Sequence, residues 1–430
     1  MALIQQHTLA SNDDDNPFVT YDKIHVSKST FLDGLNEPVH RWFRLTPSFA
    51  PSLVDEMLNE TGTCKGSVVL DPFAGASTTL IQAKKLGLAS YGFELNPFLY
   101  FVGTVCLEWN SNSEKINECI DNVKEKYVAL QVEYFGMRLG ETDLSVPTIK
   151  NVYRWWREDV LKDLLLLKKA ICSISSETER NYMKVALAAA LVPDLTNVTL
   201  GRLQLAFIDK SNVEMNVWET FEPYARRIAE DVDGVSSNAN IQSKLFLKDS
   251  TQPVGDIIEP ESVDCVITSP PYPNRYSYVW NTRPYMYFFD MIDDHKEASE
   301  LDKKAIGGTW GSATSILDKG TIEPAFPILE EYVKPVVECI RDKDSRMANY
   351  VMKYFNFLTK QIVEMEPLLK PGAKCAYVVG CSEIKKVYVE TDVLLGRVFE
   401  GLGFRTDEVK RFRKRNSGVD LYESIVYATY

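Results

Sequence analysis

The 430-residue sequence predicts an α/β fold built on a mostly parallel sheet and interrupted by a helical block. Three observations carry that expectation. Gly66–Asp71 (GSVVLD) is a short apolar run that breaks into a small-residue turn, passes through a helical stretch and returns as Ala89–Glu94, a β–loop–helix–β order. From about Glu114 to Asp233 the apolar spacing becomes helical throughout. Strand-like runs then resume at Lys244–Lys248, Val263–Thr268 and Lys374–Val379.

Taken in chain order, residues 1–37 are polar, open with an acidic stretch and read as an arm or sheet edge rather than core. Pro51 to about Glu60 reads as a helix, and Thr78–Leu86 as another, closed by Gly87. Inside the helical block the spacing predicts helices over Ile116–Tyr134, Asp159–Ile174, Tyr182–Val192 and Glu214–Val232. A helix near Tyr350–Leu369 precedes the strand at Lys374–Val379, and Phe404–Arg413 with Tyr422–Thr429 reads as a terminal hairpin. Residues 296–345, which contain Gly307–Gly308, read as a second, irregular insertion. The expected organisation is an N-terminal arm plus half of the core over 1–112, a helical insertion over 113–240, and the other half of the core over 241–430.

A composition of 45% hydrophobic and 25% charged residues is globular and excludes disordered, collagenous and coiled-coil chains. No window approaches the ~18 uninterrupted apolar residues of a membrane span, and Met1–Asp15 is polar, so neither a membrane nor a secreted protein is expected. The eight cysteines form no CxxC pair and the four histidines stand in no metal-ligand spacing, so no metal site is expected. Cysteines inside apolar runs such as Val263–Ile267 read as buried free thiols of a reducing, cytoplasmic compartment. The net charge of −12 decides little about partners, because binding follows the local field. Arg405–Arg415 (RTDEVKRFRKR) holds six basic and two acidic residues, and His40–Arg44 (HRWFR) adds two arginines. Each stretch reads as a solvated loop or as a phosphate-contacting face.

Two segments carry chemistry. In Asp71–Thr79 (DPFAGASTT) a strand ends in a small-residue turn and feeds a helix, which brings bare backbone and unpaired N–H groups close to a ligand. Glu94 follows 23 residues later at the end of the next strand, where an acid in such folds grips ribose hydroxyls. The turn is neither GxGxxG nor a lysine-bearing phosphate loop, so phosphate cradling is disfavoured, while strand, helix and acid in this order read as a cofactor-binding segment. In Asp264–Tyr272 (DCVITSPPY) an apolar strand ends in Ser269, Pro270, Pro271 and Tyr272. The prolines fix φ and remove N–H donors, leaving acceptors and an aromatic ring at a strand's carboxyl edge, a set suited to holding the NH2 group of a planar base. Beyond it, Tyr272–Phe289 interleaves eight aromatics with Arg275 and Arg283. Arg275–Tyr278 reads as the part near a base and the later residues as core. Tyr153–Arg157 (YRWWR) reads mainly as a core tryptophan pair.

Together, Asp71–Thr79 and Thr268–Tyr272 resemble the S-adenosyl-L-methionine-dependent amino-methyltransferases that modify cytosine N4 or adenine N6 in DNA, and Ser269 is closer to the cytosine subset. The resemblance implies a class I, Rossmann-like methyltransferase fold with a mostly parallel seven-stranded sheet and a C-terminal hairpin. It implies cofactor contacts from Thr46 and Phe49 within His40–Val54, from Asp71, Pro72, Phe73, Ala74, Gly75, Ser77, Thr78 and Thr79, from Glu94, Leu95 and Asn96, and from Asp249 and Ser250. Where the family has a second glycine this chain has Ser77, at a cost of about 1–2 kcal/mol if the backbone there needs φ > 0.

The implied mechanism makes Ser269 and the Pro270 carbonyl acceptors for the target amine, with Tyr272 stacked on a base flipped from double-stranded DNA. Arg275, Tyr276, Tyr278, Arg411, Arg413, Lys414 and Arg415 are the expected nucleic-acid contacts. The helical block is the natural candidate for target recognition, with 296–345 as its competitor. The chain has no Pro-Cys dipeptide, the nucleophile motif of cytosine-C5 enzymes. The context implied is restriction–modification or phage defence, with a partner protein and neither membrane nor metal. Adenine-N6, RNA-base and protein-amine methylation, or a silent binding subunit, are the alternatives.

Overall fold

A computed structural model describes residues 18–21, 33–45, 48–201, 204–274, 276–307, 312–415 and 421–430. Its main sheet has eight strands among the described residues. They are β1 (Val19–Tyr21), β2 (Val68–Asp71), β3 (Ala89–Glu94), β4 (Ser243–Leu247), β5 (Val263–Thr268), β6 (Leu369–Gly380), β7 (Arg405–Lys414) and β8 (Tyr422–Thr429). Their spatial order is β1-β7-β8-β6-β5-β2-β3-β4. Strands β6, β5, β2, β3 and β4 run parallel to one another. β8 lies antiparallel between β6 and β7, and β1 adds a parallel edge to β7.

The α/β, Rossmann-like expectation therefore holds, with the C-terminal hairpin in place and one edge strand more than expected. The strand order reverses between β2 and β5. In an open α/β sheet that reversal leaves a crevice beyond the carboxyl ends, where ligands bind.

Alternation along the central strands divides the sheet between two cores. Val69, Cys265, Ile267, Ala376 and Val378 face the core under helix α1 (Pro51–Glu60), whereas Leu70, Val266, Cys375, Tyr377 and Val379 face the opposite one. A third core is made by the helical block. Helices at Ser113–Glu133, Glu158–Cys172, Glu177–Ala190 and Val217–Val235 bury their apolar stripes together, as the 3.6-residue spacing predicts. That core is continuous with α2 (Thr78–Lys85), α3 (Pro97–Cys106) and the helix Tyr278–Phe288, so the block grows out of helices that pack on the sheet rather than hanging from them. Trp155 and Trp156 lie within it.

Several expectations are corrected. Residues 296–345 are largely helical, with helices at His295–Lys304, Pro327–Tyr332, Lys334–Arg341 and the start of Ser345–Met365. Their polar sequences hold helical form because they dock on the sheet-side core through Ile306, Leu329, Val337 and Ile340. His40–Arg44 is not a phosphate-contacting face at Arg41. That guanidinium donates to Asp231, whose carboxylate also takes the Trp42 indole N–H at 2.9 Å and the Val39 N–H at 3.0 Å. Arg283, read with the later residues of its stretch as core, is indeed packed there, sandwiched between Trp155 and Trp280 with each centroid 4.7 Å away, and burial lowers its pKa to about 10.

Five of the eight cysteines are buried, while Cys64, Cys172 and Cys339 are exposed. Among the described residues no group of His, Cys, Asp and Glu converges on a metal position, and no helix is long and apolar enough to cross a membrane.

Candidate active site

The site is organised by the carboxyl ends of β2, β3 and β5. β2 ends at Asp71, which is 1% exposed and accepts from the Thr268 hydroxyl at the end of β5 (2.6 Å) and from the Phe73 N–H (3.0 Å). Burial raises its carboxyl to about 6 against those hydrogen bonds. Asp71 thus stitches the two loops together across 197 residues of sequence.

The turn after β2 reaches helix α2 through two left-handed residues, Gly75 at φ 54° and Ser77 at φ 66°. The strain anticipated at Ser77 is therefore present. Two further bonds fold the turn onto β3: Ala74 N–H to the Phe93 carbonyl (3.0 Å) and Gly75 N–H to Glu94 Oε2 (2.8 Å). Glu94 Oε1 accepts from the Asn96 N–H at 2.6 Å, and burial pushes this carboxyl up to about 7. Each of its oxygens retains accepting capacity. Asn96 caps α3 through the N–H groups of Phe98 and Leu99, and its amide donates to Thr282 Oγ1 at 2.7 Å. β4 delivers Asp249, held by the N–H and hydroxyl of Thr251 at 2.9 and 2.8 Å.

These pieces enclose about 930 Å³ of space, its mouth included. Phe49, Pro72, Phe73, Ala74, Gly75, Thr78, Glu94, Leu95, Asn96, Asp249 and Ser250 all line it, as do Ser269, Pro271 and Tyr278. Asp71, Ser77, Thr79 and Pro270 do not. Asp71 supports the loops from below, Thr79 Oγ1 turns to the Ile267 carbonyl at 3.4 Å, and the Ser77 side chain is packed away against Gly103. Thr46 lies outside the described residues. Sequence reasoning missed Ser48 and the wall formed by Leu301, Lys304, Ala305 and Ile306 from the second insertion. No local motif marks that wall; only the docking of the insertion creates it.

A second cavity of about 640 Å³, mouth included, adjoins the first. Ser48, Phe49, Ser269 and Tyr278 line both. The rest of its wall comes from Tyr272, Asn274 and Tyr276 on one side and Phe412, Arg413, Arg415 and Glu423 on the other, with Leu53 and Val378. Burial raises the pKa of the Tyr272 hydroxyl, and the ring lies on the backbone of Gly380. Tyr276 and Tyr278 meet edge to face at 5.0 Å. Behind this loop the second insertion is braced: Ser277 Oγ donates to the fully buried Asp302 at 2.5 Å, and Gly307 packs against Pro271.

Of the expected nucleic-acid contacts, Arg413 and Arg415 line the second cavity beside Tyr272, while Lys414 is exposed. Arg411 is a correction. It is 4% exposed and binds Asp392 and Glu390, each at 3.0 Å, on the opposite side of its strand, so it is a buried ion pair. Arg275 lies outside the described residues. Glu423, 7% exposed, was not anticipated; it becomes visible only once the β7–β8 register sets it opposite Arg413.

Comparison with known proteins finds similarity to DNA methyltransferases. A family model described as DNA methylase, N6_N4_Mtase, matches residues 19–101. The Type II methyltransferase M.MvaI of Kocuria varians is 22% identical over 385 residues, covering 85% of this chain and 81% of its own. M.BsoBI of Geobacillus stearothermophilus is 23% identical over 419 residues, covering 88% and 81%, and M.AvaI of Nostoc sp. is 22% identical over 434, covering 90% and 84%. Among solved structures, TrmN from Thermus thermophilus aligns with a TM-score of 0.31 at 13% identity, over 90% of this chain and 51% of its own. The resemblance to the amino-methyltransferases read from the two motifs stands.

Proposed function

We propose that this methyltransferase, whose donor is S-adenosyl-L-methionine, acts on DNA at the exocyclic N4 of cytosine. The observation that carries the reading is that two cavities meet at Ser269, one suited to a nucleoside and the other to a base.

The residues of the first cavity fit the donor. Glu94 offers accepting oxygens for a ribose diol, Asp249 an acceptor nearby, and Phe49, Phe73, Leu95 and Ile306 apolar surface for an adenine. Bound there, the donor supplies an electrophilic methyl group on a sulfonium. Asp71, Ser77 and Thr79 hold the loop's shape without touching the ligand, while Pro72–Gly75 and Thr78 line its path.

In the second cavity Tyr272 offers its face to a flipped base. Ser269 Oγ accepts a hydrogen bond from its NH2, with the carbonyl of Pro270, which lines neither cavity, assigned as second acceptor from the sequence resemblance alone; together they draw the lone pair out of conjugation and toward the methyl. Pro271 stiffens the turn that holds both acceptors. On transfer the methyl–sulfur bond would break to leave a neutral thioether as the N–C bond forms, and the nitrogen would give up to solvent one of the two protons that these acceptors hydrogen-bond. Tyr276 and Tyr278 wall the passage, and exposed Lys414 faces the phosphates, with Arg275 assigned there from its sequence position alone. In this division residues 1–112 and 241–430 make the reaction centre and 113–240 recognises the target; the block's direct packing on the helix that follows the catalytic loop supports that assignment. The Type II designation of the relatives supports a role beside a restriction endonuclease.

The test is purified protein with S-adenosyl-L-methionine and unmethylated genomic DNA, digested to nucleosides and read by mass spectrometry. N4-methylcytosine is expected, lost in Ser269→Ala. N6-methyladenine alone would overturn the choice of base, and no methylated nucleoside would overturn the reading.

A further inference from the structure

Residues 411 and 413 in β7, with 415 just past its end, alternate and in a regular strand would share one face. They do not. Arg411 pairs with Ser424 and Arg413 with Glu423, so one extra residue is inserted into β7 at this point. A bulge of this kind re-aims the side chains that follow it. Here it leaves Arg411 with Asp392 while turning both Phe412 and Arg413, consecutive in sequence, into the second cavity. Arg415 follows Arg413 into the same space.

Inside, Arg413 is fixed by an ion pair from its Nη2 to Glu423, and Arg415 lies 3.9 Å from the same carboxylate. Arg415 also donates to the Cys381 carbonyl at 3.3 Å and sits 6.0 Å from the centre of the Tyr272 ring. Arg413 Nε is buried and has no hydrogen-bond partner among the described residues. A buried N–H left unpaired costs about 1–3 kcal/mol, a cost that a bound acceptor removes.

We propose that Arg413, positioned by Glu423, is a specificity-determining residue that donates to the acceptor edge of the flipped base. The inference rests on the function proposed above and adds a reason for its choice of base. Next to its amine, the Watson–Crick edge of cytosine presents two acceptors, N3 and the O2 carbonyl. Adenine presents one, N1, and then a C–H. A guanidinium fork at the far side of a cavity whose near side holds the amine is satisfied by cytosine and left one partner short by adenine. The volume, which admits either base, does not discriminate; the donor pattern does. The basic cluster at the end of β7 is thereby divided: Lys414 is left for phosphates, and Arg413 reads the base.

The test uses the full chain, unmethylated genomic DNA and three proteins: wild type, Arg413→Met and Arg413→Lys. Initial rates of N4-methylcytosine formation are measured beside DNA affinity as a function of salt and S-adenosyl-L-methionine affinity. Arg413→Met is expected to slow methylation roughly ten- to a hundredfold while cofactor affinity and the salt slope of DNA binding stay at wild-type values. Arg413→Lys, which keeps the ion pair with Glu423 but not the fork, is expected to recover little of that rate.

A wild-type rate in Arg413→Met overturns the proposal. So does a loss of DNA affinity with a salt slope shallower by about one, the signature of a phosphate contact. Should Arg413→Met lose its melting transition, Arg413→Lys decides alone, and a wild-type rate there overturns the proposal. Wild-type protein that forms only N6-methyladenine or no methylated nucleoside refutes the parent function, and this inference with it. N4-methylcytosine in wild type with an indifferent Arg413→Met refutes only the inference.

Discussion

Ser77 Oγ fills the space that a side chain at Gly103 would need: a Cβ built there would lie 2.3 Å away. The hydroxyl is buried without a partner among the described residues, on a backbone held at φ 66°. The loop that shapes the cofactor cavity is thus pinned by a serine that is strained and unsatisfied. Ser77→Gly is expected to stabilise the protein by roughly 1 kcal/mol, since glycine adopts the left-handed region freely. Gly103→Ala is expected to destabilise it by about 1–3 kcal/mol, and Ser77→Gly to recover part of that loss in the double variant. Urea denaturation of the four proteins checks the cycle; additive effects would mean that the two sites do not share the space.

The raised carboxyl of Glu94 gives cofactor binding a pH dependence of fixed sign. Near 7 the group is partly protonated in the free protein, because burial opposes its charge. Ribose hydroxyls donating to it favour the ionised form, so binding releases a proton and affinity rises with pH between about 6 and 8. Isothermal titration in buffers of different ionisation enthalpy measures the proton release, which Glu94→Gln is expected to abolish together with most of the affinity. For folding the sign is opposite. A carboxyl whose native pKa lies above its unfolded one binds more protons in the fold, so its contribution to stability is present below about 4.5 and is lost as pH rises toward 7.

Gly380, at the end of β6, is the floor under Tyr272. A Cβ there would stand 2.8 and 2.9 Å from Cδ2 and Cε2 of the ring. Gly380→Ala is expected to displace the ring and weaken base stacking, an interaction of about 1–3 kcal/mol, cutting the methylation rate roughly tenfold or more. Cofactor affinity is expected to stay unchanged, because Tyr272 does not line that cavity. Steady-state rates and direct cofactor binding separate the two.

Asp231 ties the segment before Ser48 and Phe49 to the helical block through Arg41, Trp42 and Val39. Asp231→Ala leaves the Val39 and Trp42 N–H groups without their acceptor and the Arg41 guanidinium with only Glu230, 3.2 Å away. A loss of about 3 kcal/mol is expected, read as a lower denaturation midpoint. A change below 1 kcal/mol would show that water replaces the carboxylate without penalty.

What the sequence made legible follows from how local each signal is. β2, α2, β3 and β5 are short elements whose apolar runs, small-residue turn and terminal acids sit within a few residues of one another, and the cofactor-side lining from Pro72 to Asn96 was readable from them. The helical block declared itself by period alone. What failed to show depends on pairings between distant residues. Strict alternation groups Arg411 with Arg413 and Arg415, and only the bulge opposite Glu423 and Ser424 separates a buried ion pair from two cavity-lining arginines. The second insertion looked irregular because His295–Lys304 is polar, and its helical form draws on a core contributed by other parts of the chain. Arg41 looked like a surface cation because its acceptor lies 190 residues away.

The hydrogen bond between Asp71 and Thr268 has a further consequence, for synthesis of the chain. The cofactor loop emerges from the ribosome early, yet the strand that flanks it, and the hydroxyl that holds its first residue, arrive 197 residues later. At about 5–20 residues per second that is an interval on the order of ten to forty seconds. During it β2 has only β3 as a neighbour, and its other edge stays open until β5 appears. The helices between Ser113 and Val235 are translated in that interval and can assemble from local contacts. Their shared core with α2 and α3 would hold the unfinished half in register. On that order of synthesis the inserted block would serve as a brace for a half-built sheet, apart from any part it plays in reading DNA.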